Sequence, residues 1–343
     1  MSAVLDHWGR PLRSLRISVT DRCNLRCGYC MPEESYRWLP RRALLDFDEL
    51  SRVARRFVEL GVTRIRLTGG EPLLRRDLSR LVTRLAAIPG LDELALTTNG
   101  LMLEEQAADL AAAGLRRVTV SLDTLRRDRF EALTRRDGLE ATLRGIEAAR
   151  GHGLDQPLKL DTVVLRGEND DELLPLLAFA AEIDAEIRFI EYMDVGGATR
   201  WSEDRVVSQE AILATIGAAQ GRPEPVAGRG SAPAARYRLP SGQIFGVIAS
   251  TTVPFCGACD RARLTADGTL YHCLYGPRGL DLKAWLRDPE MDDETLRTRI
   301  AEAWRGRRDR GAEDRRRLPQ RGALVPLEAL RADPRLEMHT RGG

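Results

Sequence analysis

Leu15-Arg16-Ile17-Ser18-Val19-Thr20-Asp21-Arg22-Cys23-Asn24-Leu25-Arg26-Cys27-Gly28-Tyr29-Cys30 runs from a short strand-like segment straight into a loop with three cysteines. Residues 15–19 alternate apolar and polar side chains and include β-branched residues, the pattern of a strand with distinct faces. The same kind of run recurs at 64–68, 93–97, 117–121, 158–165 and 187–192. Helical periods fill the intervals. After the first loop, Asp46 and Glu49 form a capping box, Leu50, Val53, Ala54 and Phe57 follow the helical repeat, and Gly61 stands where a helix stops. Further helices are expected at 77–88, 103–113, 139–149, 171–183 and 209–218. Strands that alternate with helices pair in parallel through right-handed crossovers. The expected fold is therefore α/β, either barrel-like or an open doubly wound sheet; six units fall short of the eight that close a barrel, and an incomplete (β/α)6 TIM-like barrel is the expectation adopted. One side is left open, which suits a large substrate and invites a second element to cover it.

Outward from this repeat the chain changes character. Residues 221–235 are rich in Pro, Gly and Ala without periodicity and read as an exposed linker between a barrel at 1–220 and a C-terminal region at 236–343. Residues 236–252 suggest a hairpin around Ser241-Gly242, and 280–307 a return to helix. The Arg- and Asp-rich stretch 305–321 is expected to be solvated or mobile. At 343 residues, 43% hydrophobic and 30% charged, the composition is that of a globular protein and excludes collagen-like and wholly disordered chains. No apolar run is long enough for a membrane span, and residues 1–10 lack the apolar stretch of a signal peptide, so a cytoplasmic protein with no membrane partner is expected. A net charge of +2 argues against coating nucleic acid, although basic residues can still gather around one anion.

The six cysteines form two triplets, Cys23, Cys27 and Cys30 near one end and Cys256, Cys259 and Cys273 near the other. Such spacing reads as metal sites rather than a disulfide framework. The first loop follows a strand at the edge where α/β active sites gather. Three thiolates can hold three irons of a [4Fe–4S] cubane and leave the fourth open; structural zinc would need a fourth ligand, and the loop has no His. The C-x3-C-x2-C spacing, with Tyr29 before the last Cys, resembles the radical S-adenosylmethionine (SAM) superfamily. That resemblance implies that the open iron chelates SAM and that one electron cleaves it to methionine and a 5′-deoxyadenosyl radical. It also implies SAM contacts from Tyr29, from Gly70 in Thr68-Gly69-Gly70-Glu71-Pro72, from Ser121 and from Met193.

The second triplet has His272 beside Cys273, so a Cys3His zinc site rivals a second cluster. Arg261 and Arg263 directly follow its Cys-x-x-Cys, and two guanidinium groups beside an open iron could hold an anionic, nitrogen-rich substrate. Together the two triplets and the Arg-x-Arg resemble the GTP 3′,8-cyclase family of molybdenum cofactor biosynthesis, over about residues 7–280 and the final two glycines. The resemblance implies two [4Fe–4S] clusters and a C-terminal cluster-binding extension. It implies conversion of GTP to (8S)-3′,8-cyclo-7,8-dihydroguanosine 5′-triphosphate, with Cys23, Cys27, Cys30, Arg261 and Arg263 as catalytic residues. GTP contacts would come from Arg16, Arg66, Thr97, Lys159, Arg261 and Arg263, and more loosely from Arg188. Cations on strands fit that assignment, since an inward charge needs either an anion or a neighbouring acid. The family further implies a homodimer, a reductant such as flavodoxin or ferredoxin, delivery of product to cyclic pyranopterin monophosphate synthase, and a Gly342-Gly343 tail that enters the active site. Arg341 departs from the apolar or small residue expected there. The rivals are a radical SAM enzyme with an auxiliary cluster acting on a peptide or other substrate, and a zinc-stabilised nucleic-acid-binding protein.

Overall fold

The computed structural model describes residues 3–195 and 197–342. Six parallel strands form as the alternation predicts: β1 (Ser14–Ser18), β2 (Arg64–Thr68), β3 (Glu93–Thr98), β4 (Arg117–Ser121), β5 (Lys159–Val164) and β6 (Glu186–Glu191). The C-terminal region adds β7 (Glu224–Pro225), β8 (Ala235–Arg238), β9 (Ile244–Ile248), β10 (Arg261–Leu264), β11 (Thr269–Tyr271) and β12 (Leu280–Asp281). The strand order is β12-β11-β10-β1-β2-β3-β4-β5-β6-β9-β8-β7. Two of the late strands extend the parallel array, β9 beside β6 and β10 beside β1. Among the described residues no pairing joins the two ends, so the barrel stays open.

Local chemistry explains most boundaries. The Asp46/Glu49 box caps the helix Phe47–Glu59, and Gly61 beyond it takes a φ of 102° that favours glycine. The apolar faces of the helices pack on the strands' outward residues in one core containing Leu15, Ile17, Phe57, Ile65, Leu96 and Phe189. No helix among the described residues is long and apolar enough to cross a membrane.

Three details depart from the sequence expectations. A helix at Arg127–Thr134 precedes the expected one at Leu139–Gly151; its N-cap, Arg126, makes no side-chain cap, and its C-cap, Arg135, is left-handed without being glycine. The 280–307 stretch is not one helix. It divides into Leu282–Leu286 and Asp293–Arg305 around Pro289, with Asp292 capping the second through the Thr295 N–H. The Arg-rich 305–321 stretch is solvated only in part: Arg305, Arg308, Arg316 and Arg317 are exposed, but three of its arginines are committed to the protein. Arg307 is buried, and Arg315 and Arg321 both donate to Asp194, a fully buried carboxylate in the loop after β6. Tyr275, two residues beyond Cys273, donates to the same carboxylate at 3.0 Å. Distant acids neutralise these arginines, which local composition cannot reveal.

Candidate active site

Both cysteine triplets open onto one cavity of about 360 Å³ at the carboxyl ends of the parallel strands. All six cysteines are free thiols. Tyr29, Gly70, Ser121 and Met193 share its wall, as do Arg16, Thr97, Arg261 and Arg263. Arg66 and Lys159 lie outside that lining among the described residues. Arg66 donates to the Thr97 and Thr119 hydroxyls at 3.0 and 2.9 Å. Lys159 is ion-paired with Glu186 at 3.6 Å, and Arg188 and Arg236 meet the same carboxylate.

The first loop is held by the ends of three strands. The Gly70 N–H donates to the Thr20 carbonyl and the Glu71 N–H to the Arg22 carbonyl at 2.9 and 2.7 Å. A β-carbon at Gly70 would run into the Arg22 carbonyl. The paired glycines thus bring this strand end against the backbone leading into the cysteine loop. The Glu71 carboxylate then accepts from Leu73, Thr98 and Asn99, and Asn99 donates to Asn24 inside the loop. Burial nevertheless pushes Glu71 up to about 7. Tyr29 donates its hydroxyl to Asp123 at 2.6 Å, and burial raises Asp123 to about 6.

Burial also pushes the thiols up: Cys23 to about 11, Cys27 and Cys30 further, and Cys273 to about 12. Cys259 differs. Burial would raise it, but Arg261 and Arg307 outweigh that and bring it down to about 7. Arg307 donates to the Cys259 carbonyl at 2.9 Å and to its Sγ at 3.3 Å. Sequence reasoning missed this contact because Arg307 lies in the stretch read as solvated.

The donor sets fit cubane clusters better than single ions. Among the described residues no three His, Cys, Asp or Glu side chains converge closely enough to hold one metal ion. A cubane spreads three thiolates over three irons and does not require that convergence. His272 packs edge-on against Trp304, with ring centroids 5.5 Å apart.

The cations differ in their freedom. Arg16 lines the cavity with no hydrogen bond or ion pair among the described residues, and burial, then Arg263 and Arg261, lower it to about 9. Arg263 donates to the Gly342 carbonyl at 2.6 Å. The tail reaches that point because Arg341 acts as its anchor. Its guanidinium donates to the Leu274 and Gly276 carbonyls at 3.1 and 2.9 Å and covers the Tyr271 ring at 4.6 Å. At Gly342 a β-carbon would crowd the Thr68 hydroxyl; Gly343 lies outside the described residues.

Comparison with known proteins agrees with this architecture. Residues 17–180 match the radical SAM superfamily and residues 185–313 the family described as Molybdenum Cofactor Synthesis C. GTP 3′,8-cyclase 3 of Mycobacterium bovis is 50% identical, covering 100% of this chain and 91% of the relative. The GTP 3′,8-cyclase of Acidothermus cellulolyticus is 48% identical over 90% of this chain and 88% of its own. Among solved structures, SuiB of Streptococcus suis bound to S-adenosylmethionine superposes with a TM-score of 0.56 at 17% identity, over 83% of this chain and 68% of that one, a likeness of fold. By full-length similarity at this level, the chain belongs to the GTP 3′,8-cyclase family of radical SAM proteins.

Proposed function

We propose that the protein converts GTP to (8S)-3′,8-cyclo-7,8-dihydroguanosine 5′-triphosphate, an early step of molybdenum cofactor biosynthesis. The observation that carries this reading is the opening of two three-thiol loops onto a single cavity that also contains the unpaired Arg16 guanidinium. Cys23, Cys27 and Cys30 would hold one [4Fe–4S] cluster, and Cys256, Cys259 and Cys273 the other. When bound, the first cluster with SAM supplies a radical able to remove hydrogen from an unactivated carbon, and the second supplies an open iron for a purine nitrogen.

The chain's own groups bind and orient. Tyr29, Gly70, Ser121 and Met193 form the wall proposed for SAM. Arg16, Arg261 and Arg263 offer charge to a triphosphate, with Thr97 beside them and Arg66 and Lys159 beneath. A buried polyanion needs such fixed cations, and buried cations that repel one another are relieved by it. The Arg263–Gly342 bond ties the tail to the nucleotide side, so that substrate arrival and tail position compete for one guanidinium. We also infer a division into a 1–220 barrel, a 221–235 linker, which carries the two-residue strand β7 and the first residue of β8, and a 236–343 cluster-binding region. A homodimer, a flavodoxin- or ferredoxin-like reductant, transfer of product to cyclic pyranopterin monophosphate synthase, and a cytoplasmic setting belong to the same reading.

The test is anaerobic incubation of cluster-reconstituted protein with SAM, a reductant and each nucleoside triphosphate in turn. GTP alone should give the cyclised nucleotide with matching deoxyadenosine. Deoxyadenosine release indifferent to GTP, with no nucleotide product, would reject the proposal.

A further inference from the structure

Along β5 the inward positions are Lys159, Asp161 and Val163, since alternate residues of a strand share a face. Lys159 at the lower end has its acid, Glu186. Asp161 and Val163 line the cavity. Asp161 stands in register with Ser121 on β4 and Arg188 on β6. Its Oδ1 is buried without a hydrogen-bond partner, and among the described residues no cation comes within ion-pairing distance of the carboxylate. The charge of Asp161 favours the protonated forms of Arg16 and Arg66 from a distance, but no ion pair forms among the described residues, so its Oδ1 is left without a donor. Arg188 pairs with Glu186 instead, and Arg66 with two threonine hydroxyls.

A buried acceptor left unmet calls for a donor from outside the chain. The phosphates of a nucleotide triphosphate offer none and would be repelled. If the nucleotide lies as proposed above, its phosphates meet Arg16 and the cations beneath, and its base meets the Cys259 loop that leads into β10. Two ligands of the proposed reaction carry neutral hydroxyl donors on a ribose, SAM and the nucleotide. Of the nucleotide, the part that remains near β5 is the sugar; SAM is the alternative source that the deoxy-nucleotide comparison below separates. The neighbour of Asp161 in register, Ser121, belongs to the wall assigned to SAM, and the sugar carbon to be attacked has to face that wall.

We propose that Asp161 accepts a hydrogen bond from a ribose hydroxyl of the bound nucleotide, fixing the orientation of the sugar toward the Ser121 wall. The same negative charge keeps the phosphates from sliding upward past Lys159, so the residue sets depth as well as orientation. This assignment rests on the functional reading above.

Equilibrium binding of GTP, 2′-deoxyGTP and 3′-deoxyGTP to anaerobic holoenzyme tests it, for the unsubstituted protein, D161N and D161A. The unsubstituted protein should bind at least one deoxy analogue about 10- to 100-fold more weakly than GTP, the range expected when a hydrogen bond to a charged group is lost. In D161A that gap should shrink to within about threefold, the analogue having nothing left to lose. D161N conserves shape and one acceptor oxygen, so it should fold and keep an intermediate gap. An undiminished gap in D161A, or in D161N should D161A fail to fold, overturns the assignment; so does the absence of any gap in the unsubstituted protein. If the unsubstituted holoenzyme fails to bind GTP at all, the functional reading itself is rejected, which is a different result from binding without discrimination.

Discussion

The two cysteine loops bring identical donor sets to one cavity, yet their thiols stand in different fields. In the first, the acids Glu71, Asp123 and Glu337 add to burial in holding Cys23, Cys27 and Cys30 protonated. In the second, Arg261 and Arg307 draw Cys259 down to about 7, while Cys256 and Cys273 remain raised. The first loop therefore depends on metal to displace its protons, and so do Cys256 and Cys273 of the second. Cys259 alone, drawn down to about 7 beside guanidinium groups, ionises readily, in a setting suited to an anionic ligand. Spacing describes the donors of a cluster; the neighbouring charges describe what the cluster is for.

The largest effect expected from this contrast is functional separation of the loops. Cys27→Ala should abolish SAM cleavage and remove roughly half of the iron, about four atoms of eight. Arg261→Ala should retain SAM cleavage measured without GTP while losing GTP use. Equal loss of cleavage in both variants would erase the distinction. Next in size is thiol reactivity in metal-free, anaerobic protein at pH 8. Cys259, mostly thiolate above about 7, should be alkylated well before Cys23, at about 11, as peptide mass analysis can follow. Uniform labelling would show that burial, not charge, governs both loops. Arg307→Ala sharpens the same point, since loss of its bond to Sγ should slow Cys259 labelling about tenfold and leave the first loop unchanged.

The smallest effect concerns protons. Burial, followed by the charges of Arg188 and Arg117, lowers Lys159 from 10.5 to about 7. The unfolded chain then holds a proton that the folded chain lacks between those values, so ligand-free stability should rise with pH across that window. A bound polyanion restores the proton. Calorimetry at pH 8 in buffers of different ionisation enthalpy should detect uptake of a fraction of a proton on GTP binding, and proton release would contradict the assignment.

Much of this arrangement was legible because it is local. The six central strands, the capped helix after Asp46 and the placement of Cys23–Cys30 after β1 all follow from alternation, capping chemistry and spacing within short windows. Gly70 was recognisable as a close-approach residue, although the backbone it meets is the one entering the cysteine loop. Arg341 was a mismatch in sequence and is an anchor in the fold, because the carbonyls of Leu274 and Gly276 that receive it come from another region of the chain.

By itself, the sequence determined the donor sets, the α/β repeat and the cations available to an anion, since residue identity and periodicity carry those directly. Only the tertiary structure decided which charges are free. Lys159 is paired with Glu186, Arg315 and Arg321 are committed to Asp194, Arg307 is turned onto Cys259, and Arg16 and Asp161 are left facing the cavity. Electrostatic partnership depends on distance in space, and here the partners lie tens of residues apart or on neighbouring strands, where no local pattern records them.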